Sequence, residues 1–353
     1  MSDFLLYGAN GYTGRLILKR ALESGLSPLL AGRSAADLMS LAEEHGLDCR
    51  VFELDDTASL DSALDVVPVV LHAAGPFSRT ALPMADACLR TGTHYIDITG
   101  EIGVFEQLHA LDARARAAGV MVLPGAGFDV VPTDLQAAHL ARRLPSATHL
   151  RLAFHALGGS ISRGTALTMV ENAAGGGAVR RDGRITRVPA AWRTRMVDFG
   201  FGTRPVSVTT IPWGDVATAY RSTGIPNVEV YTGMPAAQRR MLVASRTISP
   251  LLRTRLAQSM LKRIVRARVT GPDDARRKRA VSLVWGEAED ETGRRVTSRL
   301  RTPEGYTLTA MTAVEIVRRV LAGDAPIGFQ TPSLAYGADW ILDLPGVERE
   351  DES

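Results

Sequence analysis

Short apolar runs at residues 4–7, 29–33, 49–54, 68–74, 94–98 and 120–123 alternate with stretches whose apolar positions recur every three or four residues, at 15–24, 35–45, 60–64, 80–91 and 104–118. The first set predicts strands and the second predicts helices. The run from Pro68 to Ala74 is apolar at nearly every position, as a strand covered on both faces must be. Strands alternating with helices at this spacing predict an α/β fold, with a Rossmann-type doubly wound parallel sheet at the N-terminus. One more helix, from Pro132 to about residue 144, is expected to close this first domain at residues 1–145.

The pattern then changes. Residues 148–156 alternate apolar and polar, the period of a strand with one wet face. Gly158-Gly159-Ser160-Ile161-Ser162-Arg163-Gly164-Thr165 leads into a helix through residue 172, a helix start that suits either an anion or a serine cap. Residues 175–183 read as a loop, and strands and turns fill the stretch to 231. A second, α+β domain for substrate or dimerisation is therefore expected over 146–305. Inside it, Ser249-Pro250 predicts a helix start, and Leu252, Leu256, Met260 and Ile264 recur at i+4, joined by Leu261 and Val265. Residues 280–285 and 295–300 flank Glu291-Thr292-Gly293 as a hairpin would. The remaining segment, 306–353, is expected to hold a helix over 309–321 that returns to the first domain, then a short solvated tail at 349–353.

Composition narrows the class. The chain has 353 residues, 45% hydrophobic and 22% charged, with a net charge of +3. That is ordinary globular composition, and it argues against nucleic acid as the partner. No leader pattern precedes the first strand, and no apolar run reaches the roughly 18 residues of a membrane span. Cys49 and Cys88 have no metal-type spacing and read as thiols in a reducing compartment, so a cytoplasmic protein without a metal site is expected. Charge is unevenly spread, however. Residues 235–279 carry thirteen Arg and Lys against Asp273 and Asp274. This basic amphipathic segment suits an anionic membrane surface, an acidic carrier protein, or packing on its own fold or a homodimer partner.

The clearest chemistry lies at the end of the first strand. Gly8-Ala9-Asn10-Gly11-Tyr12-Thr13-Gly14 spaces three glycines at i, i+3 and i+6 between a strand and a helix. Gly8 permits the sharp turn, Gly11 lets a pyrophosphate approach the backbone, and Gly14 permits close helix–strand packing. The helix N-terminus then faces the phosphates. About twenty residues on, the place of the usual ribose-binding acid is taken by Arg33, followed by Ser34, which suits a 2′-phosphate and hence NADP rather than NAD. Ser34 with Asp37 also has the form of a capping box. Asp55, after the third strand, falls where an adenine would sit. Ala74-Gly75-Pro76-Phe77, after the fourth, falls where a nicotinamide would sit, since ligands of open α/β sheets bind beyond the carboxyl ends of the strands.

Together the glycine turn, Ala31-Gly32-Arg33, Ala74-Gly75-Pro76-Phe77, the run from Tyr95 to Glu101 and the run from Gly127 to Asp134 resemble the saccharopine dehydrogenase-like oxidoreductases. Pro212-Trp213-Gly214-Asp215 and Gly328-Phe329-Gln330-Thr331-Pro332 extend the resemblance towards the C-terminus. The resemblance implies an NADP-binding Rossmann domain, an α+β substrate domain, and a cleft between them where hydride passes to or from a small or acyl-chain substrate. The family includes saccharopine reductases, trans-acting enoyl reductases that act on carrier-bound acyl chains, and members of unassigned activity. Candidates for proton transfer are Asp97, Glu101, Asp129, Asp215 and Arg163. None of the seven tyrosines has a lysine four residues on, so the tyrosine–lysine acid of short-chain dehydrogenases is absent. That leaves an NADPH-binding sensor or scaffold without turnover as a further alternative.

Overall fold

The computed structural model describes residues 2–159, 161–172, 175–252, 254–268 and 271–352. The N-terminal part runs β1 (Leu5–Tyr7), α1 (Tyr12–Glu23), β2 (Leu29–Gly32), α2 (Ala35–His45), β3 (Cys49–Val51), α3 (Thr57–Leu64), β4 (Val69–His72), α4 (Phe77–Thr91), β5 (His94–Asp97), α5 (Ile102–His109), α6 (Asp112–Ala118) and β6 (Met121–Leu123). Next come α7 (Val131–Arg143), β7 (Ala147–Leu157), α8 (Arg163–Asn172), β8 (Gly177–Arg181), β9 (Arg184–Val188), β10 (Thr194–Val197), β11 (Val206–Thr210), α9 (Asp215–Thr223) and β12 (Asn227–Gly233). Three helices follow, α10 (Ala236–Leu252), α11 (Arg255–Arg268) and α12 (Asp274–Arg279), then the long strands β13 (Val281–Asp290) and β14 (Arg295–Pro303). The chain finishes with α13 (Gly305–Leu321), β15 (Gly328–Phe329), α14 (Pro332–Tyr336) and β16 (Glu348–Asp351).

These elements form two compact units. Unit 1 comprises Met1–Val131 with Tyr306–Tyr336, and unit 2 comprises Pro132–Gly305 with Gly337–Ser353. Unit 1 holds a seven-stranded parallel sheet in the order β15-β6-β5-β4-β1-β2-β3. The order reverses between β1 and β4, so their carboxyl ends open a crevice. All four residues of β4 are buried, because helices cover both faces of the sheet. Leu5, Leu29, Val70, Tyr95 and Val122 join one core beneath α3, α4 and α6.

Unit 2 is built on a nine-stranded mixed sheet with the path β10-β11-β12-β7-β13-β14-β16, to which the β8–β9 hairpin adds beside β12. Only β12 and β7 pair in parallel; the other pairs are antiparallel. Along β7, Leu150 and Leu152 point into the core while His149 and Arg151 alternate with them. Gly286 of β13 leaves room for α7: a Cβ there would lie 2.5 Å from Leu140 Cδ1.

Several elements differ from the sequence reading. The helix expected over 104–118 breaks into α5 and α6, because Asp112 opens a new helix and accepts from the Phe329 N–H of β15 at 2.7 Å. The loop expected at 175–183 is mostly strand β8. Asp182 and Gly183, at φ 47° and 75°, form the tight turn to β9, and an Asp-Gly pair with both φ positive is the turn that a two-residue hairpin favours. Residues 215–223, read among strands and turns, form α9, which ends where Gly224 takes φ 73°. Helix α10 continues past 249–250, where a helix start was expected. The solvated tail expected at 349–353 is in fact mostly strand β16, paired along β14 from Ser298↔Asp351 to Arg301↔Glu348. Helix α7, expected to close the first domain, and residues 337–353 both pack within unit 2.

Candidate functional site

The glycine turn of unit 1 is built as its spacing requires. Gly8 sits at φ +88°, and a Cβ on it would come within 2.8 Å of Ala74 Cβ and 3.0 Å of the Ala73 carbonyl carbon. Only glycine therefore lets β1 turn directly beneath the loop that follows β4. At Gly14 a Cβ would meet the Gly8 carbonyl oxygen at 2.2 Å, so α1 packs onto the turn with no room for a side chain. Gly11 is different: the one neighbour within 4 Å of its Cβ position is the Gly8 oxygen at 3.2 Å. Its outer side is open to a phosphate. Gly11 is also the N-cap of α1, no side chain caps it, and no acid lies in the first turn. The Arg15 Nε donates to the Asn10 carbonyl at 3.3 Å and ties the turn to the helix.

Further along the edge, Arg33 and Ser34 follow β2 and are both exposed. The Ser34 hydroxyl donates to Asp37 Oδ2 at 2.9 Å and makes no backbone cap, so the capping box is not formed. Asp55 is exposed, four residues beyond the end of β3, while the neighbouring Asp56 caps α3 by accepting from the Ser59 N–H at 3.1 Å.

The loop after β4 is held from several sides. Thr80 Oγ1 donates to the Ala74 carbonyl at 2.8 Å and lies 2.9 Å from His72 Nε2. A donating Thr80 hydroxyl leaves His72 Nε2 as the donor, and His72 Nδ1 as a buried acceptor without a partner among the described residues. Burial drops the His72 pKa to about 3, so the ring is neutral, packed between Tyr7 and Phe77 with centroids 5.4 and 5.3 Å away. Glu101 Oε1 accepts from the Phe77 N–H at 2.8 Å and so sits on the N-terminus of α4.

Two aspartates at this edge differ sharply. Asp97 is fully buried: Tyr95 Oη donates to its Oδ2 at 2.6 Å, and the N–H groups of Thr99 and Gly125 donate to Oδ1 at 2.9 and 3.0 Å. Burial raises its pKa to about 6 against these hydrogen bonds, which lower it. Its three donors join β5 to the loop after β6, a structural task. Asp129 makes no hydrogen bond or ion pair with the described residues, and desolvation alone raises its pKa to about 7. It lies against Gly100, where a Cβ would come within 2.7 Å of Asp129 Oδ2. Part of its surface stays open.

Helix α13, the late helix expected to return to the first domain, lies in unit 1 and completes the edge through contacts that the sequence pattern did not specify. Thr309 Oγ1 accepts from the Phe128 N–H at 2.9 Å, and Thr312 Oγ1 donates to the Ala126 carbonyl at 2.7 Å. Tyr306 meets Tyr12 of the glycine turn edge-on, with centroids 5.1 Å apart. The contacts thus close a ring: glycine turn, Ala73–Ala74, Phe77, Glu101 and Gly100, Asp129, Phe128, Thr309, Tyr306 and back to Tyr12.

Residues 4–123 match the family model described as the saccharopine dehydrogenase NADP binding domain. That stretch of unit 1 is similar to this NADP-binding domain. The saccharopine dehydrogenase-type turn from Gly8 to Gly14 fits its cofactor, because the backbone at Gly11 is open where a Cβ would otherwise stand before the phosphates. Among relatives, the chain is 35% identical over 150 residues to a trans-acting enoyl reductase of Mycobacterium leprae and 32% identical over 149 residues to one of Mycobacterium tuberculosis. Each match covers 40% of this chain and only 36% of the relative's own length. In fold, the chain is similar to apo saccharopine dehydrogenase (L-Glu forming) of Saccharomyces cerevisiae, at TM-score 0.68 and 14% identity over 100% of both chains. It is also similar to a homospermidine synthase of Legionella pneumophila in complex with NAD, at TM-score 0.67 and 10% identity over 99% of this chain and 91% of the other.

The other two candidates for proton transfer lie in unit 2. Asp215 is fully buried at the start of α9 and accepts from Thr133 Oγ1 of α7 at 2.8 Å, while Asp134 of the same helix accepts from Ser222. These bonds staple α7 to α9. Arg163 is exposed at the start of α8, where Ser162 Oγ accepts from the Thr165 N–H at 3.2 Å; Ser160 lies outside the described residues. Unit 2 also has a cavity of about 390 Å³ lined by Arg151, Arg193, Arg195, Arg295, Tyr231 and Glu287. Its charges largely satisfy one another: Arg151 reaches Glu287 and Glu289 at 2.9 and 2.6 Å, and Arg193 reaches Glu229 at 2.9 Å. Among the described residues no cluster of His, Cys, Asp or Glu is placed to hold a metal ion.

Proposed function

We propose that the chain is an NADP(H)-dependent oxidoreductase that reduces the carbon–carbon double bond of an acyl chain carried on a partner protein. The observation that carries the reading is Asp129, a desolvated carboxyl with a pKa near 7, held in the ring of contacts that includes the glycine turn and the Ala74–Phe77 loop. The likeness to mycobacterial trans-acting enoyl reductases supports enoyl reduction over other hydride transfers.

In this reading the N–H groups at the start of α1, with Gly8, Asn10, Gly11, Tyr12, Thr13 and Gly14, receive the pyrophosphate. Exposed Arg33 pairs with the 2′-phosphate, Ser34 adds its hydroxyl, and Asp55 lies towards the adenine. Ala74, Gly75, Pro76 and Phe77 form the floor for the nicotinamide. Bound NADPH would supply the hydride. Asp129 holds the proton at Oδ and passes it to the carbon beside the thioester carbonyl. A carboxyl with a pKa near the working pH is both protonated often enough and acidic enough for that task. Glu101 and Asp97 hold the loops in place. We place the protein in the cytoplasm, with both cysteines as free thiols; no described helix is long and apolar enough to cross a membrane.

The test is NADPH oxidation at saturating cofactor with α,β-unsaturated acyl thioesters on a pantetheine arm, beside imine substrates. Turnover of the enoyl thioesters is expected. Tight NADPH binding without oxidation by any substrate would instead make the protein a cofactor-binding sensor or scaffold. Turnover of imines alone would move it to the saccharopine-type reaction.

A further inference from the structure

Helix α11 presents an apolar stripe that no described residue of unit 2 covers. Leu256, Met260 and Ile264 stand at i, i+4 and i+8, and they are 80%, 65% and 43% exposed. The opposite side of the helix packs on α8: Gln258 Nε2 donates to the Val170 carbonyl at 3.0 Å, and Leu261 and Val265 are partly buried. The helix is therefore docked by one face and leaves a second apolar face outward. The preceding helix adds Met241 and Val243, 73% and 42% exposed.

The charge around this stripe has one sign. No Asp or Glu occurs from residue 230 to 272. Of the 41 basic residues thirteen fall in 235–279, with only two of the 38 acids, so this segment carries +11 and the rest of the chain −8. Arg263 and Arg268 are exposed beside the stripe. The segment contains no Phe, Tyr or Trp.

We infer that α10 and α11 form a docking face for an anionic lipid surface. Each element of the pattern selects that occupant. Leucine, methionine and isoleucine at helical spacing suit insertion into the acyl boundary, and the flanking arginines suit phosphate headgroups. A second copy of the same face would set one basic surface against another, because no Asp or Glu occurs in either helix. Nucleic acid would use aromatic side chains for stacking, and the segment has none. The inference does not depend on the reaction proposed above.

The 353-residue chain, incubated with sucrose-loaded vesicles of phosphatidylglycerol and phosphatidylcholine in equal parts, is expected to sediment with them at low salt. Binding to pure phosphatidylcholine should be at least about tenfold weaker, and raising salt from about 50 mM to about 500 mM should reduce binding to the anionic vesicles by a similar factor. Because the altered side chains are exposed, the triple variant Leu256→Ser, Met260→Ser, Ile264→Ser should keep the parent's circular dichroism and NADPH affinity while losing most vesicle binding. Arg263→Glu with Arg268→Glu should lose it too. Absence of vesicle binding at low salt would overturn the inference. So would undiminished binding of the triple serine variant, or saturable binding to an acidic carrier protein with none to vesicles.

Discussion

At the residue scale, the two aspartates at the carboxyl edge of the unit 1 sheet show how environment divides one side-chain type. Asp97 accepts three hydrogen bonds, whereas Asp129 accepts none from the described residues. Removing a general acid costs about a hundredfold or more in rate. Asp129→Asn is therefore expected to lower kcat by at least about a hundredfold while leaving NADPH affinity within about twofold. In the parent, the rate should fall as pH rises through about 7, because only the protonated carboxyl donates; the variant should lack that limb. The same group also affects stability. Its folded pKa of about 7 lies above the unfolded value of 3.8, so the native protein holds the proton more tightly. The stability it contributes is complete below pH 3.8 and is lost as pH rises through 7. The asparagine variant should match the parent below about pH 4 in urea titrations, then exceed it by at most about 4 kcal/mol above pH 7. Of the five candidates named from sequence, Asp129 was legible only as a carboxylate after a glycine-rich strand end. Its desolvation depends on Gly100 and on neighbours distant in the chain.

At the element scale, β16 is the clearest case of structure that local pattern hides. All four residues of Glu348–Asp351 are charged, and such a run reads as solvated tail. It pairs with β14 as an edge strand, where one face and one side remain wet, so charge carries little penalty there. Its charges are then used. His139 Nε2 bonds Asp351 at 2.9 Å, and Asp339 accepts from Arg142 at 2.8 and 3.0 Å and from Arg349. Truncation after Gly346 removes the strand and both of its anchors, and should lower the melting temperature of unit 2 by several degrees. The arginine bonds hold the Asp339 pKa at about 2, below its unfolded value of 3.8. That contribution is present above pH 3.8 and is lost as pH falls towards 2, so the melting difference between truncated and full chains should shrink on acidification through that window. The other misread elements have equally local causes. The Asp182-Gly183 turn and the Gly224 stop of α9 were visible as residue types, but their flanking segments lacked clean periodicity.

At the scale of the whole molecule, each unit is assembled from segments far apart in the chain. Unit 1 takes its last strand and the helix over the Gly125–Asp129 loop from residues 306–336, and unit 2 takes its edge strand from residues 337–353. Cofactor binding in unit 1 therefore reports on the late segment as well as on the glycine turn. A ligand that binds only the folded state stabilises it by about 2.7 kcal/mol at a hundred times its Kd. Thermal melts with NADPH should thus shift upward, and with NADH at equal concentration much less. Arg33→Asp should abolish most of the NADPH shift and leave the NADH shift intact. Equal losses for both cofactors would remove Arg33 from the 2′-phosphate.

The sequence alone determined the parallel sheet and its cofactor turn. A positive φ at Gly8, an exposed backbone at Gly11 and a contact too close for a Cβ at Gly14 are demands on residue type, and residue type is what a sequence records. The tertiary structure alone decided which carboxyl is left without hydrogen-bond donors among the described residues, how α13 buttresses the loop beside it, and which apolar stripe stays uncovered. Desolvation and burial are properties of a neighbourhood: Gly100 lies against Asp129, and α13, some 180 residues away in the chain, holds the adjoining Ala126 and Phe128 backbone. Leu256, Met260 and Ile264 have the spacing of a core face; only their exposure distinguishes a docking surface from a packed one.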